Sequence, residues 1–162
     1  VNFYEPAWRW FISNKGIWAY VTNLLETNVS FAEEFGHLPV VPTYMNNETF
    51  MAHGEKYVQK PLIGRLSMNI RIVDPMNKEN VIVHESEGGY GEDQCVYQQF
   101  HAPYKVADRN NFIACYWMAP VLNENGEAKG INAEPATACF REFDLPVLSI
   151  SNERFIPHLI VD

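Results

Sequence analysis

Glu142, in the stretch Phe140-Arg141-Glu142-Phe143, and His53, far upstream, are residue types that can move protons. Acid–base work on a carbonyl needs one group to take a proton and another to give one, both within hydrogen-bond reach of the ligand. Burial in an apolar cavity disfavours the charged form of a glutamate and would push its pKa up. Histidine titrates near neutrality without any shift. The pair suits dehydration, imine formation or enolisation. Strand alternation puts Phe140 and Glu142 on one face and Arg141 and Phe143 on the other. The plainer alternatives are a satisfied, partly buried His53 and a surface Glu142 paired with Arg141 or another base.

Further residues extend the candidate set. Tyr57 falls one helical turn after His53 and either offers its phenol to a ligand or closes the edge of the core. In His84-Glu85-Ser86-Glu87, alternation separates His84 and Ser86 from the two glutamates, so one pair faces either a cavity or solvent. His84, Glu85 and His101 are metal-ligand types, but no HxH or HExxH spacing occurs, so no metal is expected. Gly88-Gly89-Tyr90-Gly91 is glycine-rich without a helix to follow. Neither GxGxxG nor GxxxxGK[ST] is present, and no motif supports a nucleotide. GxSxG is also absent. Cys95, Cys115 and Cys139 are widely spaced with no CxxC, which signals neither a zinc site nor a disulfide framework.

The elements that must position these groups follow from periodicity. Trp8, Phe11, Ile12, Ile17, Trp18, Val21, Leu24 and Leu25 recur at helical steps, and Gly16 divides them into two helices. Val29, Phe31 and Glu33 predict a short strand within 27–35, followed by a loop over 36–44 that carries Pro39 and Pro42. Asn46 or Asn47 caps a helix running to about Lys60, with Phe50, His53 and Tyr57 on one face. Strands are expected over 66–73, 80–87, 100–119 (one, or two broken near 107–110) and 130–143. Asn123-Glu124-Asn125-Gly126 is the hairpin turn, and residues 146–162 read as a tail. Helices first and strands after give an α+β layout. The expected fold is N-terminal helices packed on a strongly curved mixed or antiparallel sheet, a cone with an internal pocket.

Composition narrows the partners. At 162 residues the chain is expected to be a single domain over 1–162, and of its 14% aromatic residues most belong to core and surface scatter, the remainder being available to a ligand cavity or an oligomer interface. A net charge of −8, with 12 basic residues spread among 20 acidic ones, argues against nucleic acid and against an anionic membrane surface. No apolar run reaches about 18 residues, the length of a spanning helix. The first residues lack the charged-then-apolar pattern of a signal peptide, and free thiols fit a reducing cytoplasm.

Five pieces in order carry a resemblance. They are Trp10-Phe11-Ile12-Ser13-Asn14-Lys15-Gly16, the segment 29–35 with its proline loop, and Ala52-His53 followed by Met68-Asn69. The others are Val73-Asp74-Pro75 leading to Val81-Ile82-Val83-His84-Glu85, and an Asn-Gly turn leading to Arg141-Glu142-Phe143. Together they resemble the nuclear transport factor 2-like superfamily, the fold of ketosteroid isomerase and the polyketide cyclases. Within it, the phenazine-biosynthesis A/B family is the most similar. The resemblance implies a cofactor-free homodimer, packed sheet to sheet, that acts on a small carbonyl or ring compound. Glu142 would shuttle the proton, with His53 as its partner or as a ligand anchor; Tyr57, Phe140 and His84 are the further ligand-binding candidates that their positions offer. The alternative on the same fold is a non-catalytic ligand-binding or dimerisation module.

Overall fold

The computed structural model describes residues 8–91, 94–105, 107–126, 128–149 and 151–157. The chain divides into two compact units, Val1–His101 and Ala102–Asp162.

The first unit begins with helices α1 (Trp8–Ile12), α2 (Gly16–Thr27) and α3 (Val29–Phe35). Gly16 does open the second helix, as its place between two apolar runs predicts. The segment expected as a strand over 27–35 is instead α3. Asn28 decides this: its side chain accepts the Phe31 N–H at 3.0 Å and caps the new helix. Phe31 and Phe35, four residues apart, then meet with ring centroids 4.7 Å apart.

A short strand β1 (Thr43–Tyr44) precedes α4 (Glu48–His53). The helix expected to reach Lys60 stops at His53, because Gly54 adopts the left-handed conformation (φ 67°) and caps it. Tyr57–Pro61 is strand β2, and Tyr57 therefore does not share a helix with His53. Strands β3 (Arg71–Val73), β4 (Ile82–Glu85) and β5 (Cys95–Gln99) complete an antiparallel sheet of order β1-β5-β2-β3-β4. The alternation Leu66, Met68, Ile70 that predicts a strand from residue 66 lies largely in a loop, where Leu66, Ser67 and Asn69 all have positive φ.

Register gives each face of this sheet a different task. Tyr57 stands opposite Val73 and Gln99, and Gln59 opposite Tyr97. On that face Phe50 of α4, Tyr57 and Val73 form the buried core, with Tyr44 and Tyr97 packed against it. Phe50 and Tyr57 stack with centroids 5.4 Å apart. By alternation the other face carries Thr43, Lys60, Val96 and Gln98. Here α2 approaches, and the buried Thr22 hydroxyl accepts the Thr43 N–H at 3.0 Å.

The second unit is a four-stranded antiparallel sheet, β6 (Tyr104–Lys105), β7 (Asn111–Leu122), β8 (Ala128–Phe143) and β9 (Glu153–Ile156), in that order. The hairpin turn lies where Asn123-Glu124-Asn125-Gly126 predicts it, with Gly126 at φ 79°. β9 falls in the stretch read as a tail, and it pairs with the last four residues of β8. The expected cone is thus corrected. The strands form two separate antiparallel sheets and not one curved sheet roofed by helices. No helix among the described residues is long and apolar enough to cross a membrane.

Candidate functional site

Lysine is rarely buried without a reason, because taking its charge out of water is unfavourable. The first unit half-buries two lysines together. Lys15 sits between α1 and α2; its N–H donates to Leu62 O at 2.9 Å and its Nζ to Gly64 O at 3.1 Å. Lys60 points from β2 onto the α2 face of the sheet and donates to Gln98 Oε1 at 2.6 Å. Gln98 in turn donates to Thr43 Oγ1 at 3.0 Å, which ties Lys60 into a polar network running to β1. Burial lowers the pKa of Lys15. Burial also lowers that of Lys60, and the nearby positive charge of Lys15 adds to the effect.

Two open clefts share these lysines. One, of about 190 Å³, is walled by Lys15, Lys60 and the loop residues Gly64, Arg65, Ser67 and Met68. The other, of about 220 Å³, adds Trp18, Thr43, Val96 and Gln98. A larger depression of about 420 Å³ is lined by Phe11, Ile17, Tyr20 and Met45 and has no ionisable group suited to charge chemistry. The lysine clefts are therefore the better candidates.

The loop over 64–69 is held in place from beneath. Ser86 Oγ donates to Ser67 O at 2.6 Å and accepts the Ile70 N–H at 2.9 Å. Asn69 Oδ1 accepts the Tyr90 N–H at 2.7 Å. Gly88 is required here, since a Cβ would collide with Met68 and Asn69. Three non-glycine residues at positive φ form a wall of unusual backbone, a conformation that costs about 1–3 kcal/mol per residue and persists only where the surroundings impose it.

None of the residues singled out from sequence is among those lining these clefts. His53 is exposed at the end of α4. Tyr57 is in the core, its hydroxyl accepting from Asn47 Nδ2 at 3.0 Å. His84 is half-buried in β4 opposite Ile72. Phe140 lies in β8 between Ala114 and Ile156. Glu142 is buried in the second unit, and His53 belongs to the first. Its carboxylate accepts from Arg109 through both oxygens, at 3.2 and 3.0 Å, and from the Asn110 N–H at 3.3 Å; Arg154 lies 3.8 Å away. The expected upward pKa shift is reversed. The Arg109 hydrogen bonds hold the carboxyl below its ordinary value and outweigh the opposing effect of burial. Arg141, named as a possible partner, bonds Glu153 instead, at 2.9 Å.

The helix expected from sequence ends at about Lys60, where a cation is ordinary, so residue spacing alone does not single this lysine out. The signal for a strand here is the pair of breakers around it: Gly54 ends the preceding helix, and Pro61 with Gly64 leads the chain into a loop.

A family model described as glutathionylspermidine synthase preATP-grasp matches residues 1–161. This overturns the resemblance to the nuclear transport factor 2-like superfamily and the phenazine-biosynthesis A/B family. The carbonyl-condensing or isomerising function implied by that resemblance falls with it.

Proposed function

The chain belongs to the glutathionylspermidine synthase preATP-grasp family, and from that premise we propose that its first unit holds the phosphates of ATP in the clefts over Lys15 and Lys60. The observation that carries this reading is the convergence of two half-buried lysines at clefts beside one hydrogen-bonded loop, in a chain whose net charge is −8. Each lysine is desolvated, and each has its charged form disfavoured by that burial. An anion in the cleft reverses the penalty by giving both ammonium groups a charged partner. Arg65 adds an exposed third cation at the loop. Backbone turned through the left-handed region, as at Leu66 and Ser67, belongs to the kind of turn that gathers N–H groups into concave anion sites.

The family's name supplies the reaction class. Glutathionylspermidine is a glutathionyl group joined to a polyamine, and joining a carboxyl group to an amine in water requires an activated carboxyl. The chain's contribution to such a ligation is to orient the phosphates and offset their charge as it redistributes, which is the main work of a protein in phosphoryl transfer.

Calorimetric titration with ATP tests the assignment. ATP should bind the wild-type chain. Lys15→Met and Lys60→Met should each weaken binding by about 10- to 100-fold, the range for losing a hydrogen bond to a charged group. Lys78→Met, at an exposed turn, should leave it unchanged. Wild-type affinity in a folded Lys60→Met chain, or no binding at millimolar ATP, would defeat the proposal.

A further inference from the structure

We propose that Cys115 and Cys139 form a thiol–disulfide exchange site, reacting with small-molecule disulfides and closing into a cross-strand disulfide. The register carries the argument. Cys115 of β7 and Cys139 of β8 are direct antiparallel partners, within a pairing that runs unbroken from Asn111↔Phe143 to Trp117↔Thr137. Directly opposed residues point to the same face of a sheet, with Cα atoms about 4.5–5.5 Å apart. A disulfide accepts Cα separations of about 4.4–6.8 Å, so the bond can form without moving the strands.

Both cysteines are free thiols of intermediate exposure, within reach of a small reagent. Cys95 belongs to the first unit and accepts from Gln59 Nε2 at 3.5 Å. The pair also has a built-in asymmetry. Arg141, two residues from Cys139 on the same face, donates from Nη2 to Cys115 Sγ at 3.4 Å, and its buried Nε has no hydrogen-bond partner. That contact gives the Cys115 sulfur a charged hydrogen-bond donor that fixes its position, while Nη1 of the same guanidinium is held by Glu153 at 2.9 Å. Cys115 is therefore the first nucleophile.

The chemistry balances with one small disulfide as oxidant. The Cys115 thiolate attacks it, forming a mixed disulfide and releasing one small thiolate. Cys139 gives its proton to solvent and attacks the Cys115 sulfur, releasing the second. Two protein thiols are oxidised and one disulfide is reduced to two thiols. The new bond clamps the β7–β8 ribbon at the first residue of β8 beyond its pairing with β9, which begins at Phe140. Beyond that point the ribbon exposes Tyr116, Trp117 and Met118.

The test is to incubate the native chain with 2-hydroxyethyl disulfide and follow intact mass, with peptide mapping under non-reducing conditions. The wild type should lose two hydrogens and yield one linked peptide pair containing Cys115 and Cys139. Cys115→Ser and Cys139→Ser should each instead accumulate a stable mixed adduct on the remaining cysteine, forming more slowly in Cys115→Ser. Cys95→Ser should close as the wild type does. Persistent mixed adducts on both cysteines of the wild type, a link through Cys95, or no reaction would each overturn the proposal.

Discussion

Glu142 shows how far a single residue can be read in isolation. Its type and its strand position leave a cavity carboxylate and a surface one both open, and the structure buries it. Its charge state follows from a residue 33 positions away in sequence, Arg109, which alternation along one strand cannot reveal. The consequence can be measured. A carboxylate whose folded pKa lies below its ordinary 4.5 contributes stability that is fully present above that value and disappears as pH falls through the lowered one. Glu142→Gln should therefore lower the melting temperature at pH 7, and the gap from wild type should narrow steadily as the pH is taken below 4.5. Thermal unfolding from pH 7 to pH 3 checks this. A gap of constant size across that range would mean that the carboxylate matters only for its shape.

The elements were legible where one local signal dominated and illegible where two competed. Gly16 between apolar runs, the Asn-Gly hairpin turn and the end of β8 at Phe143 stand where the sequence puts them. Val29-Ser30-Phe31 has a strand's alternation, but Asn28 caps a helix there. Tyr57 follows His53 at helical spacing, but Gly54 has already ended the helix and pairing with β5 claims the next residues. The early stop at Gly54 also decides the candidate site, because a Lys60 on a helix end and a Lys60 on a sheet face have different neighbours. Gly54 is thus the residue that separates a helix from the strand carrying Lys60. Placing a Cβ at its φ of 67° is unfavourable, and the added atom would also lie 2.8 Å from Met76 Sδ. Gly54→Ala should destabilise the chain by about 1–2 kcal/mol, the usual cost of a left-handed non-glycine residue. Denaturant unfolding gives the value, and a loss below a few tenths would show that the cap is dispensable.

At the scale of the whole molecule, composition and site point in opposite directions, and the contrast is itself informative. The chain is acidic overall, yet its candidate site is cationic and half-buried. A nucleic acid binder spreads its cations along an open face, where many phosphates release counterions and affinity falls steeply with salt. Lys15 and Lys60 instead lie in clefts of about 200 Å³ each, room for the phosphates of one small molecule but not for the edge of a duplex. The chain's net charge of −8 repels long polyanions from a distance, while screening at about 0.15 M salt confines that repulsion to roughly 8 Å. A duplex oligonucleotide should therefore fail to displace ATP from the chain at low salt, where electrostatic attraction is strongest, whereas inorganic triphosphate should displace it. Competition titrations with the two anions decide the matter. Displacement by the duplex, with affinity collapsing as salt is raised, would mean that Lys15, Lys60 and Arg65 act as an open basic surface and that the clefts select nothing.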